Sequence, residues 1–200
     1  MTKLKKAKPS TKIKNLTLLA LMTALVVLTE IISANIKFGT FSITLTHIPI
    51  VIGASILGPW AGAWLGLSMG VVVLFEPATQ GFLLVNFAAT VFVVLLKSTL
   101  SGFVSGVIYK AIKNKTLSIS VSALTCPIVN TAIFIIGSLV FFSPSLAAMA
   151  GPGKNVFMFL IVGIIGVNFI IEFLVAAVMI PVIKKVIDIC KKMRSDKSYI

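Results

Sequence analysis

Seven polar side chains stand inside or at the edge of hydrophobic runs: His47, Asn86, Lys97, Asn130, Thr131, Asn168 and Glu172. Three amides, a hydroxyl, an imidazole and one charge of each sign form a hydrogen-bonding set suited to holding a small polar molecule. They do not form a catalytic set. His47 is the only histidine, so a metal site would lack partners, and it fits better as a helix-entry or substrate hydrogen bond. Cys126 and Cys190 lack metal-site spacing and are poorly placed for a disulfide. Gly151-Pro152-Gly153-Lys154 has neither the spacing nor the following helix start of a phosphate loop, and no His-Glu-x-x-His or Gly-x-Ser-x-Gly motif occurs. No enzyme, metal or cofactor is therefore expected, and an ATP-driven role would require a partner. Polar groups buried in lipid are costly and functional by default, although single asparagines also bridge helices, so each of the three amides carries both readings.

The elements that position these residues are membrane helices. Hydrophobic residues make up 58% of the 200 and charged residues 12%, whereas about a quarter of a globular domain is charged. Mean hydropathy is +1.11. At about 20 residues per span the chain holds about six. The expected architecture is an all-α integral membrane protein, a compact six-transmembrane-helix bundle with both termini cytoplasmic. Residues 1–15 form a basic cytoplasmic tail, 16–183 the membrane domain and 184–200 a second basic tail. The spans are expected at 16–34, 48–57, 60–75, 82–109, 117–142 and 155–183. Outside the membrane, 35–46 reads as an extended loop over the bundle mouth, 76–81 as a second loop, and the Pro/Gly/Ser/Ala-rich 143–154 as a mobile lid. Asn86, Asn130 and Asn168 then converge beneath these loops as a pocket open to the outside.

A net charge of +13 suggests nucleic acid until the cations are placed. Of the eighteen, six lie in the first fourteen residues, three between Lys110 and Lys115 and six after Pro181. Basic clusters just outside apolar spans orient a membrane protein with those segments in the cytoplasm, so a nucleic-acid partner is not expected. This leaves Lys37 and Lys154 alone outside, and an odd number of spans would break the agreement.

Glycine recurs at 58, 62, 66 and 70 in an apolar segment, which puts the last three on one helix face with no side chain between that backbone and a neighbour. Gly58-Pro59 ends the arriving helix and presets the first turn of the next. Lys97 lies thirteen residues before Lys110 and Glu172 twelve before Lys184. At 1.5 Å per residue both sit roughly 18–20 Å above the same end of the bundle. Opposite charges at one depth are expected to face inward as a structural ion pair, Lys97–Glu172, with a direct Lys97 contact to a substrate carboxylate as the alternative.

Several of these segments resemble the substrate-binding S components of energy-coupling factor (ECF) vitamin transporters. Ala20-x-x-x-Ala24 within LALMTALVV is similar to the family's small-residue motif, and HIPIVIGA leading into GPWAGA resembles its second-to-third span region. Asn86 in LLVNFAAT and Asn168-x-x-x-Glu172 in VNFIIEFL resemble polar positions of its fourth and sixth spans. The resemblance implies a vitamin site near the outer face, a transmembrane coupling subunit and two cytoplasmic ATPase subunits as partners, and transport by tilting of the S component. Ala20 and Ala24 then become the docking face for the coupling subunit, against the plainer reading of internal packing. Pantothenate suits an amide-lined pocket with one cation and is the first expectation for the substrate, with riboflavin next. Few tryptophans near the outer end speak against a cationic ring such as thiamin. The alternative class is a stand-alone proton-coupled carrier or a membrane scaffold.

Overall fold

The computed structural model describes residues 11–35, 37–38, 41–42 and 44–195. Helix α1 (Thr11–Asn35) leads into a two-residue-per-strand antiparallel hairpin, β1 (Lys37–Phe38) and β2 (Phe41–Ser42), in which Lys37 faces Ser42 and Phe38 faces Phe41. Helices α2 (His47–Leu57), α3 (Pro59–Val73), α4 (Pro77–Val85), α5 (Phe87–Ala111), α6 (Lys115–Phe141) and α7 (Ser143–Ala150) follow. One helical turn, α8 (Val156–Met158), runs through a π-helical stretch (Phe159–Ile165) into α9 (Gly166–Ser195).

Among the described residues, four helical stretches are long and apolar enough to cross a membrane: 12–35, 87–111, 115–141 and 156–193. The pair α3 and α4 passes the same test together but is bent by 81°, and α2 is apolar yet shorter. The chain is thus a multi-pass membrane protein, and by length alone the described residues supply four candidate spans, or five with the bent pair as one, short of the six expected. The cause is local: α2 has eleven residues and α3 fifteen, short of the twenty or so that a perpendicular span requires.

The glycine face packs as its spacing demands. A side chain at Gly62 would strike the Gly102 carbonyl, one at Gly66 the Ser98 carbonyl, and one at Gly102 the Gly62 carbonyl, so α3 and α5 meet backbone to backbone. Gly106 faces Pro59 Cα in the same way. Gly58 adopts φ 107°, which an L side chain rarely does, and Pro59 starts α3 immediately after it. Serines fill the other small positions: Ser105 Oγ and Ser122 Oγ each hydrogen-bond the other residue's carbonyl, at 3.1 and 2.8 Å, joining α5 to α6. Apolar side chains cover the outside, with Trp60 81% and Leu84 88% exposed, the inverse of a water-soluble domain.

Several expected boundaries move. Helix α1 begins at Thr11, inside the expected basic tail; residues 1–10 lie outside the described residues. The expected loop 76–81 is largely the start of α4, because Pro77 fits a first helical turn. The expected lid 143–154 is helical over α7, anchored by buried Leu146 and Ala150. Continuous helix runs past Lys184 to Ser195, so the second tail is helical there; 196–200 lie outside the described residues.

Candidate functional site

A cavity of about 400 Å³ lies between α1, α3, α5, α6 and α9, at the end of the bundle away from the lysine clusters. Asn130, Thr131, Lys97, Asn168 and Glu172 line it together. Aromatic rings form part of its wall: Phe82 sits edge-on to Phe134 and Phe142 at 5.8 and 5.2 Å, and Phe169 lines the α9 side beside aliphatic side chains such as Val73, Val93 and Ile165.

His47 lies behind this wall. It is buried at the start of α2, and Asn130 Nδ2 lies 3.0 Å from its Nε2. An amide NH₂ only donates, so the ring accepts at Nε2 and carries its proton on Nδ1. His47 therefore positions Asn130 and does not itself line the cavity.

Asn86 departs from expectation. It interrupts the helix between α4 and α5, is exposed, and its Oδ1 accepts from Ala89 N at 3.1 Å as the α5 N-cap. Its amide oxygen is committed to an orphan backbone N–H, so it is absent from the cavity wall.

The Lys97–Glu172 pair also needs correction. Both side chains face the cavity at one level, but among the described residues they make no direct ion pair. Lys97 Nζ sits 5.0 Å from the centre of the Phe134 ring, and Glu172 Oε1 accepts a 2.8 Å hydrogen bond from Thr44 Oγ1.

The sequence pattern does not single out Glu30 or Glu76, because one reads as a span-end charge and the other as a loop residue. Both line the cavity. Glu30 is 3% exposed, with Thr46 and Glu76 beside its carboxyl. A depth argument of the kind applied to Lys97 would have found Glu30, which lies five residues before the end of α1.

Ala20 and Ala24 are exposed on the outer side of α1, where Trp64 Nε1 donates to the adjacent Thr23 Oγ1 at 3.2 Å. Nothing among the described residues covers them, which speaks against the internal-packing reading.

A polar cavity enclosed by an apolar helical bundle defines a membrane-embedded ligand-binding protein. Residues 14–184 match the family described as "ECF transporter, substrate-specific component". The chain belongs to that family, whose members are transporter components rather than enzymes. Its fold is similar to that of ThiT from Listeria monocytogenes, at a TM-score of 0.65 and 20% identity, over 88% of this chain and 96% of that one. No curated protein matches the sequence.

Proposed function

We propose that this chain is the substrate-capturing subunit of an ATP-driven ECF-type importer, taking up a vitamin-sized molecule in the cavity of about 400 Å³. The observation that carries this reading is the wall itself, where Asn130, Thr131, Asn168 and charged side chains face an interior otherwise built of apolar helices. In this reading both termini and the lysine clusters face the cytoplasm, where two ATPase subunits act through a transmembrane coupling subunit. The exposed Ala20 and Ala24 form the face on which that coupling subunit docks, since small residues let a foreign helix approach the backbone.

The substrate is a ring-bearing small molecule. Pantothenate, the first expectation, asks for a cation free to meet its carboxylate, whereas Lys97 lies over Phe134 in a cavity that Glu30, Glu76 and Glu172 also line. A flat ring of the riboflavin type finds the edge-to-face phenylalanines and the amides of Asn130 and Asn168, and ranks above pantothenate on this wall.

Mass spectrometry of the small molecules retained by the purified chain in detergent tests the capture role. A retained vitamin supports it. An empty protein that binds none on titration returns the chain to a scaffold.

A further inference from the structure

Asn130 lines the cavity from α6, and its Nδ2 lies 3.0 Å from Nε2 of His47, which stands behind the wall at the start of α2, 83 positions earlier in the chain. Both residues are buried, His47 at 4% exposure and Asn130 at 5%, so bulk water competes little for either end of this bond. The ring is itself held in place. In the turn that leads into α2, Thr44 Oγ1 donates to Glu172 Oε1, Leu45 N donates to Ser33 Oγ at 3.1 Å, and Ile48 N donates to the Leu45 carbonyl at 3.1 Å. A histidine fixed at a helix start by bonds to α9 and α1 on its N-terminal side does not follow the amide, so the amide follows the ring.

We propose that His47 is a positioning residue for ligand selection: it holds the Asn130 amide so that a carbonyl oxygen, and not an NH₂, is offered to the cavity, and this stretch of wall therefore selects a ligand edge that donates an N–H or O–H. The proposal rests on the reading of the cavity as the capture site. An amide carries its acceptor and its donors on opposite arms, and with Nδ2 turned back to the imidazole, Oδ1 is the arm left for the cavity. The opposite tautomer reverses the sign. With the proton on Nε2 the ring donates to Oδ1, the amide turns over, and the same asparagine offers its NH₂ to an acceptor on the ligand. The place of one proton on a ring outside the cavity thus decides which functional group fits inside it. A ligand carbonyl or bare ring nitrogen set against Oδ1 leaves two buried acceptors face to face, a mismatch that costs about tenfold or more in affinity.

The test uses the full chain in detergent micelles at neutral pH. His47 is the only histidine, so protein labelled with ¹⁵N-histidine shows a single imidazole in a long-range proton–nitrogen NMR spectrum. The expected result is a bare Nε2 and a protonated Nδ1. A protonated Nε2 overturns the proposal. Riboflavin, thiamine and pantothenate are then titrated calorimetrically, and the tightest of the three serves as the probe. Asn130→Leu is expected to weaken it about tenfold or more, and Asn130→Asp distinctly less, because a carboxylate oxygen still accepts on the cavity side. His47→Leu removes the acceptor that holds the amide and is expected to weaken the probe about fivefold, whereas His47→Gln, whose carbonyl accepts in place of Nε2, regains most of that. Asn130→Asp as weak as Asn130→Leu, or His47→Gln no better than His47→Leu, overturns the proposal and leaves the capture role standing. No binding of any probe and no molecule retained through purification overturns the capture role, and the tautomer still decides which arm of the amide faces the cavity. Should a His47 variant fail to fold, the tautomer and the two Asn130 variants decide.

Discussion

Thr44 Oγ1 donates a 2.8 Å hydrogen bond to Glu172 Oε1, joining the segment after the hairpin to α9 across 128 positions of sequence. Leu45 N donates to Ser33 Oγ at 3.1 Å a residue later, so the segment is held to α1 as well. Since Thr44 and Glu172 both line the cavity, this bond shapes the wall and closes the connection over it. Thr44→Val keeps the side-chain shape and removes the donor. A hydrogen bond to a charged group contributes about 1.5–3 kcal/mol, so ligand affinity is expected to fall about tenfold or more. Calorimetric titration of the variant checks this, and unchanged affinity would show that the bond does not shape the wall.

The α3–α5 contact predicts two opposite outcomes for glycine substitutions. At Gly66 an added Cβ collides with the Ser98 backbone carbonyl, which cannot swing aside, and overpacking of this kind costs about 1–3 kcal/mol or more. At Gly81, inside α4, an added Cβ meets nothing within 4 Å. Gly66→Val is expected to lower the thermal midpoint in detergent sharply, while Gly81→Ala leaves it unchanged or raises it through helix propensity worth up to about 1 kcal/mol. A tolerated Gly66→Val would refute the backbone contact.

The glycine spacing was legible because a period of four has one geometric meaning in an apolar helix, and the α3–α5 packing follows from it. Asn130, Thr131, Lys97, Asn168 and Glu172 were legible as a wall because a polar group inside a long apolar run must face inward. Asn86 carries the same signal and misleads, since a helix break consumes an amide as readily as a ligand does and one-dimensional hydropathy does not register the break. Glu30 and Glu76 hide for the reverse reason: charges near span ends read as solvated, and only the folding of Thr44 and α4 around the same cavity encloses them. Direct pairing of Lys97 with Glu172 was inferred from depth, but depth leaves the rotation of each helix open, and the rings of Phe134 and the hydroxyl of Thr44 took the two charges separately.

Orientation is testable with single cysteines at exposed positions. Lys113 lies between α5 and α6 at the lysine-rich end, and Met149 lies on α7 near the cavity end. With Cys126 and Cys190 replaced by serine, an impermeant maleimide applied to intact cells is expected to label Met149→Cys and to spare Lys113→Cys, as the basic clusters require. The opposite pattern would invert the proposed topology.

The exposed alanines of α1 predict a separation of uptake from binding. Ala24→Trp adds a large side chain at a position exposed among the described residues, so the isolated protein is expected to bind ligand with unchanged affinity. Assembly with a coupling subunit needs close backbone approach, and uptake in cells is expected to fall to background. Binding lost together with uptake would instead mean that the substitution disturbs the chain's own fold.

Lys97 permits a decision by magnitude. If it were half of a buried ion pair, removing it would strand Glu172 and cost about 3–5 kcal/mol. In the observed arrangement its Nζ contacts the Phe134 ring, an interaction worth about 0.5–2 kcal/mol, and Glu172 keeps its bond from Thr44. Lys97→Met preserves most of the stem volume and places a thioether near the same ring, which recovers part of that contact. The variant is therefore expected to lose no more than about 1–2 kcal/mol in a reversible denaturant titration in mixed micelles. For the same reason the double swap Lys97→Glu with Glu172→Lys is expected to do no better than the worse single change. It sets a carboxylate against the negative face of Phe134 and leaves Thr44 facing a lysine. Recovery of stability and binding by the double swap, or a loss above about 3 kcal/mol in Lys97→Met, would restore the direct ion pair and displace the cation–ring arrangement.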